Sequence, residues 1–155
     1  MPDNGSVHSI HIAAVASEPT ASIEQARAVA GKGLEGDRYF NRDGSFSDRH
    51  GPDREITLIE IEAIEALERD YKLTLKAGDA RRNVVTRGVA LNHLVGREFS
   101  VGEVTLRGLR LCEPCNHLAS LTDEKVKPGL VHRGGLRAQI LTEGIIRTGN
   151  TILAR

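Results

Sequence analysis

Hydrophobic and polar positions alternate with a period of two along much of this chain. Residues 7–16 read as a strand, with Ile10 and Ile12 on one face and Ser9 and His11 on the other. Residues 18–30 show no settled period, and residues 31–39 are a glycine-rich turn region. Residues 41–53 form a polar loop, expected to be mobile or to rim a site. Residues 55–59 predict a short strand. A helical period follows over about residues 60–71, with Ile64, Leu67 and Tyr71 as its apolar stripe. Glu65 and Arg69 on that helix are spaced as an i,i+4 ion pair.

From Leu73 onward the pattern predicts strands at residues 83–86, 98–101, 103–111, 137–142 and 151–154, with glycines between most of them. Residues 91–95 read as a single helical turn. In the 103–111 strand, Val104 and Leu106 share one phase, whereas Leu109 and Leu111 take the other. A slip at Gly108 predicts a bulge or sharp bend, as a barrel requires. No internal repeat, low-complexity tract or linker interrupts the chain, which is read as a single domain over residues 1–155. The expected fold class is mainly β (α+β): a bent, partly closed mixed β-barrel with a few short helices.

Composition narrows the function. The chain has 155 residues, long enough for a real core, with 21 basic against 21 acidic side chains. The balance argues against nucleic acid or a membrane surface as partner, since both select a basic excess. Aromatic residues are 3% of the chain, too few for base-stacking platforms. No apolar run is long enough to span a bilayer, and the first residues lack signal-peptide character. The expectation is a cytoplasmic protein. There, two cysteines are more often metal-binding or catalytic than a structural disulfide.

Several polar clusters invite chemistry. Gly31-Lys32-Gly33-Leu34-Glu35-Gly36 has the G-x-G-x-x-G spacing, but a polar loop follows where a dinucleotide fingerprint needs a helix. The glycines read as backbone requiring positive φ, with Asp37 and Arg38 as candidates to face a site. Arg81-Arg82-Asn83 offers two guanidiniums and an amide, a clamp for an oxyanion or simply solvated charge. His132-Arg133-Gly134-Gly135 joins basic residues to glycines that permit close backbone approach, as an anion loop or a hairpin turn would. His93 and His117 add possible zinc ligands. Zinc sites usually show two tight ligand pairs, and the chain has one.

That pair is Cys112-Glu113-Pro114-Cys115, the chain's only two cysteines. The spacing is that of a thioredoxin-type C-x-P-C, yet no βαβ pattern surrounds it and only a short helical run follows, ending near Lys127-Pro128-Gly129. Buried free thiols are the plain alternative. The polar neighbours Glu113, Asn116 and His117 sit badly in a core. Proline biases Glu113 away from helix, so Cys115 is expected at a helix start, where the dipole and a protonated His117 favour thiolate and Glu113 opposes it.

The chain resembles a MOSC domain, the module named for the C-terminal region of molybdenum-cofactor sulfurases. The resemblance lies in Gly33-Leu34-Glu35-Gly36-Asp37-Arg38-Tyr39, Ile56-Thr57-Leu58-Ile59-Glu60 and Arg82-Asn83-Val84-Val85-Thr86-Arg87-Gly88. It continues through Leu94-Val95-Gly96-Arg97-Glu98-Phe99-Ser100-Val101-Gly102, Cys112-Glu113-Pro114-Cys115 and Arg133-Gly134-Gly135-Leu136-Arg137-Ala138. It closes with Gly144-Ile145-Ile146 and Gly149-Asn150, where Asn150 replaces the family's usual Asp. It is the stand-alone bacterial type that the chain resembles, with no aminotransferase-like domain before it. The resemblance implies a mixed β-barrel that handles molybdenum cofactor or its sulfur. It implies Cys115 as molybdenum ligand, with Cys112 at a less constant position. It also implies that Arg82, Asn83 and the Arg133-Gly134-Gly135 stretch face the pterin phosphate. Three functions follow as expectations: reduction of N-oxygenated small molecules with a separate electron-transfer protein; a sulfur carrier loaded by a cysteine desulfurase, bearing a persulfide on Cys115; or thiol redox through both cysteines.

Overall fold

A computed structural model of the chain describes residues 4–40 and 51–155. Its strands in chain order are β1 Asn4–Ile12, β2 Ala21–Ile23, β3 Gln25–Val29, β4 Gly33–Leu34, β5 Ile56–Glu60, β6 Val84–Arg87, β7 Glu98–Val101, β8 Val104–Leu111, β9 Leu136–Ile140, β10 Gly144–Arg147 and β11 Thr151–Ala154. The α-helices are α1 Ile61–Tyr71, α2 Asn116–Leu121 and α3 Val126–Leu130. Among the described residues no helix is long and apolar enough to cross a membrane.

Strands β11, β7, β8, β9, β5, β6 and β1 pair in that order, and β11 pairs back to β1, so the ring closes. Strand β2 hangs from β1 outside the ring, and β10, β3 and β4 make a small second sheet. The β5–β6 pair is parallel, joined through α1, and the other ladders are antiparallel. The barrel is therefore mixed, as expected, and it is closed.

Alternation sorts the side chains. Ile56 and Leu58 of β5 and Val84 of β6 point into the barrel with Phe99, Leu106 and Leu136. Their neighbours Ile59 and Val85 point outward, against Ile64 and Leu67 of α1 and Leu118, Val126 and Leu130 of the later helices. A closed barrel with one helix-covered flank needs apolar residues on both faces of β5, which is why its sequence shows an apolar run instead of clean alternation.

The bend predicted at Gly108 is present. The β8–β9 register shifts between Gly108 and Arg110, and the 3₁₀ turn Leu91–Leu94 presses on that point. A Cβ on Gly108 would lie 2.1 Å from the Leu94 carbonyl oxygen, so only glycine fits.

Several expectations need correction. Strand β1 starts earlier than residue 7 and ends at Ile12. Residues 18–30 hold β2 and β3, and β10 had not been anticipated at all. The Glu65–Arg69 pair does not form: Arg69 binds Asp70 at 2.7 Å, and Glu65 binds Arg87 across to β6 at 3.1 Å. Lys127-Pro128-Gly129 does not end the helical run but lies inside α3. The loop at residues 41–53 falls outside the described residues up to residue 50. Its last part is the bend at Gly51 and the 3₁₀ turn Pro52–Arg54.

Candidate functional site

The site is assembled where β8 runs out. Past Leu111 the backbone keeps one more ladder bond, Cys112 N–H to the Gly135 carbonyl at 2.7 Å. Arg82 then grips the loop. Its Nη2 donates to the Cys112 carbonyl at 2.9 Å, its Nε to the Gly134 carbonyl at 2.8 Å and its Nη1 to the Ala80 carbonyl at 3.3 Å. The guanidinium fork thus sets the Cys112 and Gly134 backbones side by side. Gly134 and Gly135 make this packing sterically feasible. A Cβ on Gly134 would sit 2.3 Å from the Cys112 carbonyl oxygen, and one on Gly135 would sit 2.1 Å from that of Leu58. Their close backbone approach is to protein.

On the outer side Glu113 is clasped by His132, whose backbone N–H and Nδ1 each lie 2.7 Å from a carboxylate oxygen. Partial burial opposes the Glu113 charge, but the two His132 contacts prevail and hold the carboxyl below its ordinary range. Clamped by Arg82 and Glu113, the turn delivers Cys112 into the core, 2% exposed, and Cys115 half-buried at the N-cap of α2. The Cys115 carbonyl accepts the Ala119 N–H at 3.0 Å. The predicted helix start is present.

Cys115 and His117 share a narrow cleft with Arg38, Arg81, Arg82 and Arg137. Asp37, fully buried, neutralises Arg38 at 3.2 Å and accepts from Ala13 N–H, fastening residues 37–39 to the end of β1. The Arg38 guanidinium stacks 4.7 Å from the Tyr39 ring centroid. Asp53 pairs with Arg110 and Glu113 with His132, so among the described residues Arg81, Arg82 and Arg137 have no carboxylate as ion-pair partner. Burial and repulsion from Arg38 push the Arg81 pKa down. Burial also works against Arg137, but Cys112, Tyr39 and Asp53 outweigh it and raise its pKa. The buried Nε of Arg137 has no hydrogen-bond partner among the described residues. A cluster of buried cations with an orphaned donor calls for an anion. The cleft itself encloses about 50 Å³. Across Arg81 it adjoins a hollow of about 450 Å³.

The sequence candidates separate accordingly. Cys115, Cys112, His117, Arg38 and Arg82 line the cleft. Asp37 lies behind it. Asn83 is 1% exposed and engaged in the barrel wall: its Oδ1 accepts from the Thr57 N–H and hydroxyl, and its Nδ2 donates to the His11 carbonyl at 3.2 Å. Gly134 and Gly135 lie under the cysteine turn, and Arg133 is exposed, outside the residues lining the cleft. His93 stands on the 91–94 turn beside a different hollow, and among the described residues no three His, Cys, Asp or Glu side chains converge as a metal cage. Sequence reasoning missed Tyr39 and Arg137 as site residues. The signal for Arg137 was present: a charge between Leu136 and Ala138 at a buried position of a strand.

Comparison with known proteins agrees with this fold. The family model for the MOSC domain matches residues 46–153. The YuaD protein from Bacillus subtilis has a similar solved structure, with a TM-score of 0.80 at 15% identity over 96% of this chain and 94% of that one. YiiM from Geobacillus stearothermophilus is also similar, with a TM-score of 0.73 at 15% identity over 97% of this chain and 75% of that one. YiiM from Escherichia coli gives 0.68 at 16% identity over 97% and 69%. No curated protein matches by sequence.

Proposed function

Given that this chain belongs to the MOSC domain family, which is linked to molybdenum-cofactor binding, we propose that it holds that cofactor at the arginine-lined cleft with Cys115 as the protein ligand to molybdenum. The observation that carries the reading is a half-buried free thiol beside Arg81, Arg82 and Arg137, which have no carboxylate ion-pair partner among the described residues. The donor set fits the group. A thiolate is the soft ligand that a sulfur-bound molybdenum accepts, and unneutralised arginines suit a phosphate. Arg81 and Arg137 would take the phosphate, the latter through its orphaned Nε. Arg82 and Arg38 are committed to carbonyl oxygens and to Asp37, and their role is to fix the walls.

When bound, the cofactor supplies a two-electron redox centre. The finer reading is reduction of N-oxygenated small molecules in the cytoplasm, with electrons from a separate redox protein. Such a reduction takes up two electrons and two protons and releases water. His117, whose Nε2 lies 3.3 Å from the Ser17 hydroxyl, is the imidazole that lines the cleft. Cys112 is buried where Cys115 is not, which supports assigning the ligand role to Cys115 alone.

The small enclosed volume, about 50 Å³, favours one alternative. It suits a persulfide sulfur on Cys115, received from a cysteine desulfurase, better than an intact pterin. Expression in a molybdopterin-competent host, followed by metal and pterin analysis, separates the two. The cofactor reading expects molybdenum in the native protein and none in Cys115→Ala. Native protein free of molybdenum, but gaining one sulfur in its mass after incubation with a desulfurase, would replace it with the carrier reading.

A further inference from the structure

The larger hollow beside the cleft has no role in this scheme. It lies between the end of β1, the residue 17–20 loop, the 3₁₀ turn Ala77–Ala80 and the end of α2. At about 450 Å³ it falls in the range of small-molecule sites, roughly 300–1,000 Å³. Two features mark it as built. The first is His11, 6% exposed, an imidazole in the hollow's wall. Its Nε2 is satisfied by the Ser9 hydroxyl at 2.8 Å, and Nδ1, on the side of Gly78, makes no hydrogen bond among the described residues. Gly78 is part of the same construction. A Cβ there would lie 2.7 Å from the Thr20 hydroxyl and 2.8 Å from His11 Nδ1, so glycine is what lets this turn pack against both in the hollow's wall. The second is charge. Arg81 and Lys76 both line the hollow, and the Asp79 carboxylate is engaged in capping its own turn through the Lys76 N–H at 2.9 Å.

We infer that this hollow is a binding site for a small organic oxyanion, a phosphate- or carboxylate-bearing molecule with its acidic group against Arg81 and Lys76 and its hydrogen-bonding body against His11. Arg81 borders both spaces, so the bound anion lies between His11 and the Cys115 cleft. Burial, helped by His8, lowers the His11 pKa, so the ring is neutral at pH 7 and offers Nδ1 as a hydrogen-bonding atom without charge. The inference does not depend on molybdenum.

The test is an NMR titration of cofactor-free protein with inorganic phosphate. The His11 ring and Gly78 amide resonances are expected to shift saturably. Lys76→Gln and Arg81→Gln should each weaken the effect about tenfold, as loss of a charge-assisted hydrogen bond does. Gly78→Ala should abolish it while the remaining spectrum keeps its dispersion. Absence of a saturable His11 shift would overturn the inference, and so would shifts unchanged in Lys76→Gln and Arg81→Gln, which need not perturb folding. Repeating the titration on cofactor-loaded protein identifies the source. A retained response marks a free small molecule as the ligand, and a lost response marks the cofactor's own phosphate.

Discussion

Arg82 and Cys112 are joined through the backbone: the guanidinium Nη2 donates to the Cys112 carbonyl at 2.9 Å and fixes the start of the cysteine turn. Because Nε and Nη1 bind two further carbonyls, the interaction depends on the planar fork and on more than its charge. Arg82→Lys keeps the charge and loses the fork. It should destabilise the protein by about 2–4 kcal/mol, since buried carbonyls are left unpaired. Urea denaturation measures this, and a cost below about 0.5 kcal/mol would show that the turn holds without the fork.

Gly135 has φ of 114° and backs directly onto Leu58 of β5. Gly135→Ala meets both a left-handed strain and a carbonyl oxygen at 2.1 Å. The expected loss is about 2–4 kcal/mol, larger than for Gly31→Ala, where φ is 81° but nothing lies within 4 Å of the added methyl. Thermal unfolding of the two variants side by side checks the order.

The legibility of the chain follows the range of its interactions. Strands β7 and β11 coincide with their predicted spans because their own alternation specifies them. The Gly108 bulge was readable for the same reason, as a phase slip within one strand. Strand β3 was not: Gln25-Ala26-Arg27-Ala28-Val29 buries two alanines, and its partner β10 comes near the end of the chain. At the site, residue type pointed to anions at Arg81-Arg82-Asn83, but type alone cannot tell a ligand from a staple. Asn83 donates and accepts inside the wall, joining β1, β5 and β6, and only the fold reveals those partners. Arg137 reaches the cleft from a strand whose sequence reads as core.

The two cysteines should behave unequally. Cys115→Ser is expected to remove bound molybdenum while leaving stability within about 0.5 kcal/mol, because the side chain is half-buried and caps no N–H. Cys112→Ser should keep the metal and cost about 1–3 kcal/mol, since it places a hydroxyl in the core. Metal analysis and denaturation of both variants decide the matter. Equal loss of function in both would favour a dithiol.

His11 gives the fold a pH dependence whose sign can be worked out. Burial, then His8, lower its folded pKa below the ordinary 6.5, and Asp79 offsets this only in part. The unfolded chain therefore binds the proton first as pH falls, and stability rises with pH wherever the unfolded state holds more protons. The contribution of the neutral ring is complete above 6.5 and declines as pH drops from there toward the folded pKa. Native protein should lose stability as pH falls below 6.5 by this route. His11→Gln, which keeps a hydrogen-bonding group toward Ser9 without a titrating ring, should flatten that part of the profile. Denaturation midpoints at several pH values compare the two. Parallel profiles would mean that His11 is as solvated in the fold as in the unfolded chain, against its 6% exposure in the wall of the hollow.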